Sequence, residues 1–319
     1  MKKPAAAGDA LSLELKRSHR RARIKSQSPY WVMLIIPMLF FFLVRYWPMF
    51  GLSIAFQNYR IGDAFVSSHS RWAGLKWFQM LLKNPNFFRL VRNTLVLNIL
   101  SILIAFPLAI GFALLLNEIR IRRFRNLTAN ISLLPYFIST VVIVAIIYNV
   151  FSVDDGLVNM ILVKLGRAKI NFLATSSWFR PLYIGSDIWQ HTGFNAVVFT
   201  AAIAGIDPNL YEAAALDGST RLKNIFYITI PCILPTIIIM LLLRIGSIMT
   251  VGYEKIILMY TPMTYEVSDV LSTYAYRAGL KDQKFSLSTA ISLINSVVNV
   301  ILLVAANRLT KKLSDTSLW

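Results

Sequence analysis

The side chains best suited to act on a solute are polar groups set inside long apolar stretches. Asp187, Trp189, Gln190, His191 and Asn195 cluster in one such stretch, and Arg244, Ser247, Thr250, Tyr253 and Glu254 in the next. Asn295 and Asn299, four apart, share a helix face in the last one. The Trp189 indole suits stacking on a sugar ring, while Gln190, His191 and Asn195 can hydrogen-bond hydroxyls or a carboxylate. A cavity-facing Arg244 would favour anionic solutes. Polar groups inside a membrane are costly and either line a cavity or pair across helices. Packing roles therefore stay open for the whole set, including a pairing of Arg244 with Asp187 or Glu254. His191 is a lone histidine in its stretch and reads as a hydrogen-bonding group rather than a metal ligand. Cys232 is the sole cysteine, which excludes a disulfide within the chain and a cysteine metal cluster. No acid, base and nucleophile gather on one face, and no Gly-x-x-x-x-Gly-Lys-Ser/Thr phosphate loop is present. The chain is expected to be no enzyme and to hold no cofactor of its own.

The elements that must position these groups are long apolar helices. Of 319 residues, 56% are hydrophobic and only 15% charged, too few charges for the surface of a soluble domain. Crossing a bilayer takes roughly 20 mostly apolar residues, and about six runs reach that length. They extend from Tyr30 to Met49, Thr94 to Leu116, Leu127 to Phe151, Phe179 to Ala204, Pro231 to Met259 and Ser286 to Arg308. The expected fold is an all-α integral membrane protein: a basic leader over 1–29, a transmembrane domain over 30–308 and a tail over 309–319. The net charge of +18 lies mostly between the apolar runs, where it sets orientation and meets anionic lipid, with no recognition module for nucleic acid. The leader, the Arg120, Arg122, Arg123 and Arg125 loop, and the Arg308, Lys311 and Lys312 tail fall on one side, which the positive-inside rule makes cytoplasmic. On the other side, Gly74 to Phe78 suggests a short interfacial helix, and Asp154-Asp155-Gly156 a turn before an amphipathic one.

The loop between the fourth and fifth runs, about 205–230, has its own logic. Asp207 can cap a helix that Pro208 begins, and Tyr211, Glu212, Ala213, Ala214 and Ala215 continue it. Gly218, just after Asp217, suits the left-handed turn of a C-terminal cap. A second helix then leads to Pro231. The result is a helix-turn-helix that offers alanines and a few charges to a partner.

That stretch resembles the EAA loop of ATP-binding-cassette importer permeases: Glu-Ala-Ala, three residues, Gly, nine residues, Ile-x-Leu-Pro. Here the pattern reads Glu212-Ala213-Ala214, Gly218 and Ile228-x-Ile230-Pro231, departing only at Ile230. Further stretches are similar to the sugar-importer branch, nearest the polysaccharide and lipoprotein-type permeases such as those of alginate importers. They include Tyr46 to Gly51, Arg92-Asn93-Thr94, Leu134 to Ser139, Ala201 to Pro208 and Thr273 to Leu280, so the likeness covers about residues 30–308. The resemblance implies the type I importer permease fold in the bacterial inner membrane, with both termini cytoplasmic. It implies one half of a permease heterodimer, a dimer of ATPase subunits that hold ATP and Mg, and an extracytoplasmic solute-binding protein that delivers an oligosaccharide. It also implies that Tyr211, Glu212, Ala213, Ala214, Asp217 and Gly218 form the ATPase-coupling element. The helix before that loop lines the cavity in sugar permeases.

The main alternative is a secondary transporter driven by an ion gradient. It would need coupling carboxylates near mid-membrane, often in repeated halves. Only Asp187 and Glu254 qualify, and the halves are unlike. A scaffold or channel would leave the complete coupling loop without a purpose.

Overall fold

The computed structural model of the chain describes residues 26–27, 29–63, 71–250, 252–313 and 317–318. Most of the basic leader and the end of the tail lie outside the described residues. Among them the structure is helical, and the β pairing is one antiparallel bridge between Gln57 and Trp72. The chain divides into two units, residues 1–54 with 59–71, and 55–58 with 72–319.

The first unit is built on α1, Pro29–Phe56, which loosens into a π turn over Phe42–Tyr46 and tightens into 3-10 geometry from Trp47. Residues 29–50 are all exposed and, except for Arg45, apolar or aromatic, as befits a helix solvated by lipid.

In the second unit α2, Lys76–Leu82, is the short helix expected after Gly74; Trp77 Nε1 donates to the Gln57 carbonyl at 2.8 Å. α3, Phe87–Glu118, is 32 residues long, about 48 Å. The next span is broken. α4, Arg122–Leu133, passes through a 3-10 turn at Leu134–Phe137 into α5, Thr140–Phe151, with a bend of 98°. Pro135 withdraws a backbone donor, and the Ser139 side chain caps the new helix by accepting from the Val142 N–H. α6, Leu157–Lys164, follows the turn at Gly156 as expected.

α7, Ser176–Ala204, runs parallel to α3. Asn93 meets Arg180, Ser101 meets Asp187, and Phe106 packs edge-on against Phe199, so both helices run in the same direction. Buried Ala109, Ala113 and Ala196 let the two backbones approach. α8, Pro208–Leu216, and α9, Arg221–Asn224, form the hairpin, and a π turn at Ile225–Thr229 joins α9 to α10, Ile230–Ile245.

The expected single span from Pro231 to Met259 is not one helix. α10 ends at Ile245, and after a turn at Gly246 to Met249 a separate helix, α11, covers Tyr253–Met259. Glycines and polar residues interrupt the apolar run here, and a side chain holds the backbone open. Asn299 Oδ1 accepts from the Met249 N–H at 2.8 Å, and its Nδ2 donates to Thr250 Oγ1 at 3.0 Å. α12, Tyr265–Ser268, and α13, Leu271–Tyr276, then lead to the last helix, α14, Phe285–Leu313.

One knot fixes this segment to the start of α3 and a second ties the segment to itself. Buried Asn93 donates to the Glu266 and Asp269 carbonyls at 2.9 and 3.0 Å. Asp269 takes both arms of Arg277 at 2.8 and 2.6 Å, with the rings of Tyr260, Tyr265 and Tyr274 around the guanidinium. The other end of α3 meets the hairpin, where Glu118 lies 3.8 Å from Arg221. Residues 253–281 and the hairpin therefore occupy opposite ends of this unit.

By length and composition four helices can cross a membrane, α1, α3, the run Arg221–Ile245 and α14, and five if the bent α4–α5 pair counts as one span. The expected six is reached only when α7 is added, 29 residues long but diluted by polar groups.

One contact tests the packing of α4 on α7. A Cβ at buried Gly193 would collide with the Ser132 carbonyl, whereas one at Gly111 would meet nothing. Gly193→Ala should cost about 1–3 kcal/mol through overpacking. It should lower the thermal unfolding midpoint of the purified complex, while Gly111→Ala leaves it unchanged.

Candidate functional site

The hairpin is built as its residue types require. Asp207 Oδ1 accepts from the Asn209 N–H at 3.0 Å and Pro208 opens the helix. At the other end Gly218 has φ +70°, its N–H reaches the Ala215 carbonyl at 3.1 Å, and the Ser219 N–H reaches Ala214 at 2.9 Å. This paired arrangement is a Schellman cap. Thr220 then caps α9 by accepting from the Lys223 N–H. Glu212, Ala213, Asp217 and Leu216 are exposed, Leu216 to 91%, and Ala214 is half-buried. Tyr211 turns the other way, its hydroxyl 2.9 Å from the buried Thr229 hydroxyl, and so ties α8 to the helix that becomes α10. A rigid wedge with an apolar tip results.

Upstream of the wedge, one face of α7 carries Tyr183, Asp187, His191 and Asn195 at intervals of four, a slowly drifting stripe on a helix. Asp187 is its hub. Asp187 Oδ1 lies 3.0 Å from His191 Nδ1, and Oδ2 accepts from Ser101 on α3 at 3.0 Å. One turn further, Asn195 and Arg244 line a small cavity with Ser101, Phe106 and Met240. The Arg244 guanidinium is exposed and has no ion pair among the described residues, so neither Asp187 nor Glu254 engages it.

Two groups on this wall were invisible as candidates in the sequence. Ser101 is an ordinary serine in an apolar helix until α7 is laid beside it. Lys255 on α11 is 6% exposed, its ammonium finds no hydrogen-bond acceptor, and it sits 5.3 Å from the Tyr183 ring. Asp187 is the carboxylate whose charge acts on it. The signal available was a lysine within an apolar run, masked by its neighbour Glu254, which is exposed.

The remaining candidates go elsewhere. Trp189 lines an apolar groove of about 690 Å³ with Leu108, Leu115 and Ile188. Gln190 is buried and donates to the Ile138 carbonyl at 3.2 Å, holding the α4–α5 bend. Ser247 bonds the carbonyls of Leu243 and Arg244, and Thr250 and Asn299 pair with each other. Tyr253 stacks on Tyr276 with centroids 6.0 Å apart, and both line a separate groove that includes Asn295. The structure thus unites Asp187, His191, Asn195 and Arg244 and separates them from the other eight. No group of three or more metal-ligating side chains occurs among the described residues.

Residues 105–315, from mid-α3 through the stripe and hairpin to the end of α14, match the family model described as binding-protein-dependent transport system inner membrane component. The chain belongs to that family. Its relatives include the polygalacturonan/rhamnogalacturonan transport system permease protein YteP of Bacillus subtilis (strain 168), 41% identical over 99% of this chain and 98% of that protein. Protein LplB of the same organism is 38% identical over 93% of each. Among solved structures, a chain of a bacterial alginate ABC transporter, in complex with an alginate pentasaccharide-bound periplasmic protein, matches with a TM-score of 0.85. It is 38% identical and covers 93% of this chain and 99% of that one. The fold is that of a type I ABC importer permease.

Family membership leaves the charge arrangement on α7 to be tested. Asp187→Asn removes the counter-charge of Lys255 and should destabilise the purified complex by roughly 1–3 kcal/mol. Adding Lys255→Met should restore most of that loss, because the orphaned ammonium goes with it. Additive losses in the thermal midpoints would show that the two groups do not interact.

Proposed function

We propose that this chain is one permease of a heterodimeric ABC importer that moves oligosaccharides, preferentially acidic ones, from an extracytoplasmic binding protein into the cell. The observation that carries the reading is the capped hairpin α8–α9, exposed at its tip and joined without slack to α7 and α10. Glu212, Ala213, Ala214 and Asp217 present the docking surface for an ATPase dimer, which supplies ATP and Mg, while Tyr211 and Gly218 hold its shape. The hairpin side is cytoplasmic, as the basic leader over 1–29, the Arg122 to Arg125 cluster and the tail over 309–319 favour. Both termini then lie inside.

In this reading the Asp187, His191, Asn195 and Arg244 face belongs to the solute path, and ATP binding shifts the assembly between inward-open and outward-open populations. Ser247, Thr250, Tyr253, Glu254, Asn295 and Asn299 stand along or beside that path, whereas Trp189 and Gln190 serve the α4–α7 packing. The acidic preference is supported by the unpaired guanidinium of Arg244. It is also supported by the relatives' names, since the matching structures include an importer of the acidic polysaccharide alginate.

The test uses this chain reconstituted with its partner permease, ATPase and binding protein. Uronate oligosaccharides should stimulate ATP hydrolysis more than neutral ones, and Arg244→Gln should lower the uronate response about tenfold, as loss of one charge-assisted contact predicts. Gly218→Val, forced into a left-handed backbone, should insert and assemble normally yet lose stimulation. Full stimulation of the Gly218→Val complex would remove the coupling assignment, and equal responses to neutral sugars would remove the acidic preference.

A further inference from the structure

The groove between α11, α13 and α14, away from the charged stripe, has a different chemistry. Its volume is about 300 Å³, at the lower end of ligand pockets. Tyr253 and Tyr276 stack along one wall, 6.0 Å between centroids and 27° between planes, and Tyr253 is about half exposed. Along the other wall α14 offers Ser288, Ser292 and Asn295, one helix face by spacing. Each serine hydroxyl already donates, to the Ala275 and Ser288 carbonyls, and so keeps its lone pairs free to accept. The Asn295 Oδ1 has no hydrogen-bond partner at all. Its side chain lines the groove.

An aromatic wall facing hydroxyl and amide acceptors, with no charge among the lining residues, suits a ring with one C–H face and a rim of hydroxyls. It does not suit an anion or an acyl chain. Position adds to this. Ser288 is bonded to α13, and α13 is bonded to the start of α3 through Leu271 N and Thr94 Oγ1, so the groove lies at the end remote from the hairpin. Along the same face of α14, Asn299 follows Asn295 by one turn and holds the break beside Arg244 and Ser247. A row of polar groups therefore leads from the groove toward the charged stripe.

We propose that this groove is a separate saccharide subsite, which takes a neutral face of a sugar unit by stacking on Tyr253 and Tyr276 while the charged stripe takes another unit of the same chain. The proposal rests on the oligosaccharide reading and adds that the permease grips more than one sugar unit. Oligosaccharides long enough to span both places depend on the groove, and a disaccharide does not.

The test uses the full complex with its binding protein and a length series from disaccharide to hexasaccharide, read as half-saturating concentration for stimulated ATP hydrolysis. Tyr276→Ala should raise that concentration about tenfold for the longest chains and leave the disaccharide unchanged, with Tyr276→Trp close to wild type. Equal behaviour of Tyr276→Ala and wild type at every length overturns the subsite while leaving the importer reading intact. A wild-type complex that responds to no saccharide overturns the importer reading itself. In parallel, Asn295→Cys in the assembled complex should react with a small water-soluble thiol reagent and be protected by the longer saccharides. A thiol that never reacts, with or without nucleotide, means that another subunit fills the groove, and the proposal falls.

Discussion

A helix that takes Asp187, His191 and Asn195 through apolar surroundings must give each of them a partner or a cavity that water can enter, because an unsatisfied polar group or a lone charge in a dry apolar environment costs several kcal/mol. Much of the architecture follows from that requirement. α3 runs parallel to α7 so that Ser101 reaches Asp187 and Asn93 reaches Arg180. His191 reaches back one turn to the same carboxylate. α10 brings Arg244 to the small cavity that Asn195 also lines, and α11 returns with Lys255 over Tyr183. Only α7, among the long helices of the second unit, lacks the apolarity to be counted as a span by composition. Its polar face is half-buried against the others.

The same parallel pair explains how a change at one end reaches the other. α3 is pinned by Asn93 and Thr94 to the 265–271 segment and touches the hairpin through Glu118. α7 continues directly into α8, and Tyr211 binds α8 to the base of α10. In the proposed importer, a push on the wedge would displace α7 and α10 together, the two helices that carry the charged wall. Packed interfaces of this kind shift between discrete arrangements rather than bending continuously.

Features governed by local chemistry were legible in the sequence, and those governed by tertiary contact were not. Asp207, Pro208 and Gly218 specify a helix start and stop wherever they occur, so the hairpin was readable residue by residue. The turns before α2 and α6 were readable for the same reason. The split between α10 and α11 was not: Arg244, Gly246, Ser247, Gly252 and Glu254 interrupt the run, but membrane helices absorb such residues, and the decisive side chain, Asn299, is some fifty residues away. Pro135 marked the α4–α5 bend in the sequence, but a proline in a membrane helix is often absorbed without one. Helical spacing alone, about 100° per residue, would have set Trp189 apart from Asp187, His191 and Asn195, but it leaves Gln190 only about 60° from Asp187. It could not have shown that Lys255 is buried and unpaired, because that depends on where Tyr183 and Asp187 lie in three dimensions.

The central claim is that one face of α7 is a water-lined wall that moves with the hairpin. With Cys232 replaced by serine, single cysteines at His191, Asn195, Trp189 and Leu108 can be probed in the reconstituted complex with a water-soluble thiol reagent, which reacts only with hydrated thiolate. The account predicts labelling at positions 191 and 195, at rates that change when nucleotide binds, and none at 189 and 108 in the apolar groove. Labelling at 189 and 108 with none at 191 and 195 would contradict it, as would rates at 191 and 195 that ignore nucleotide.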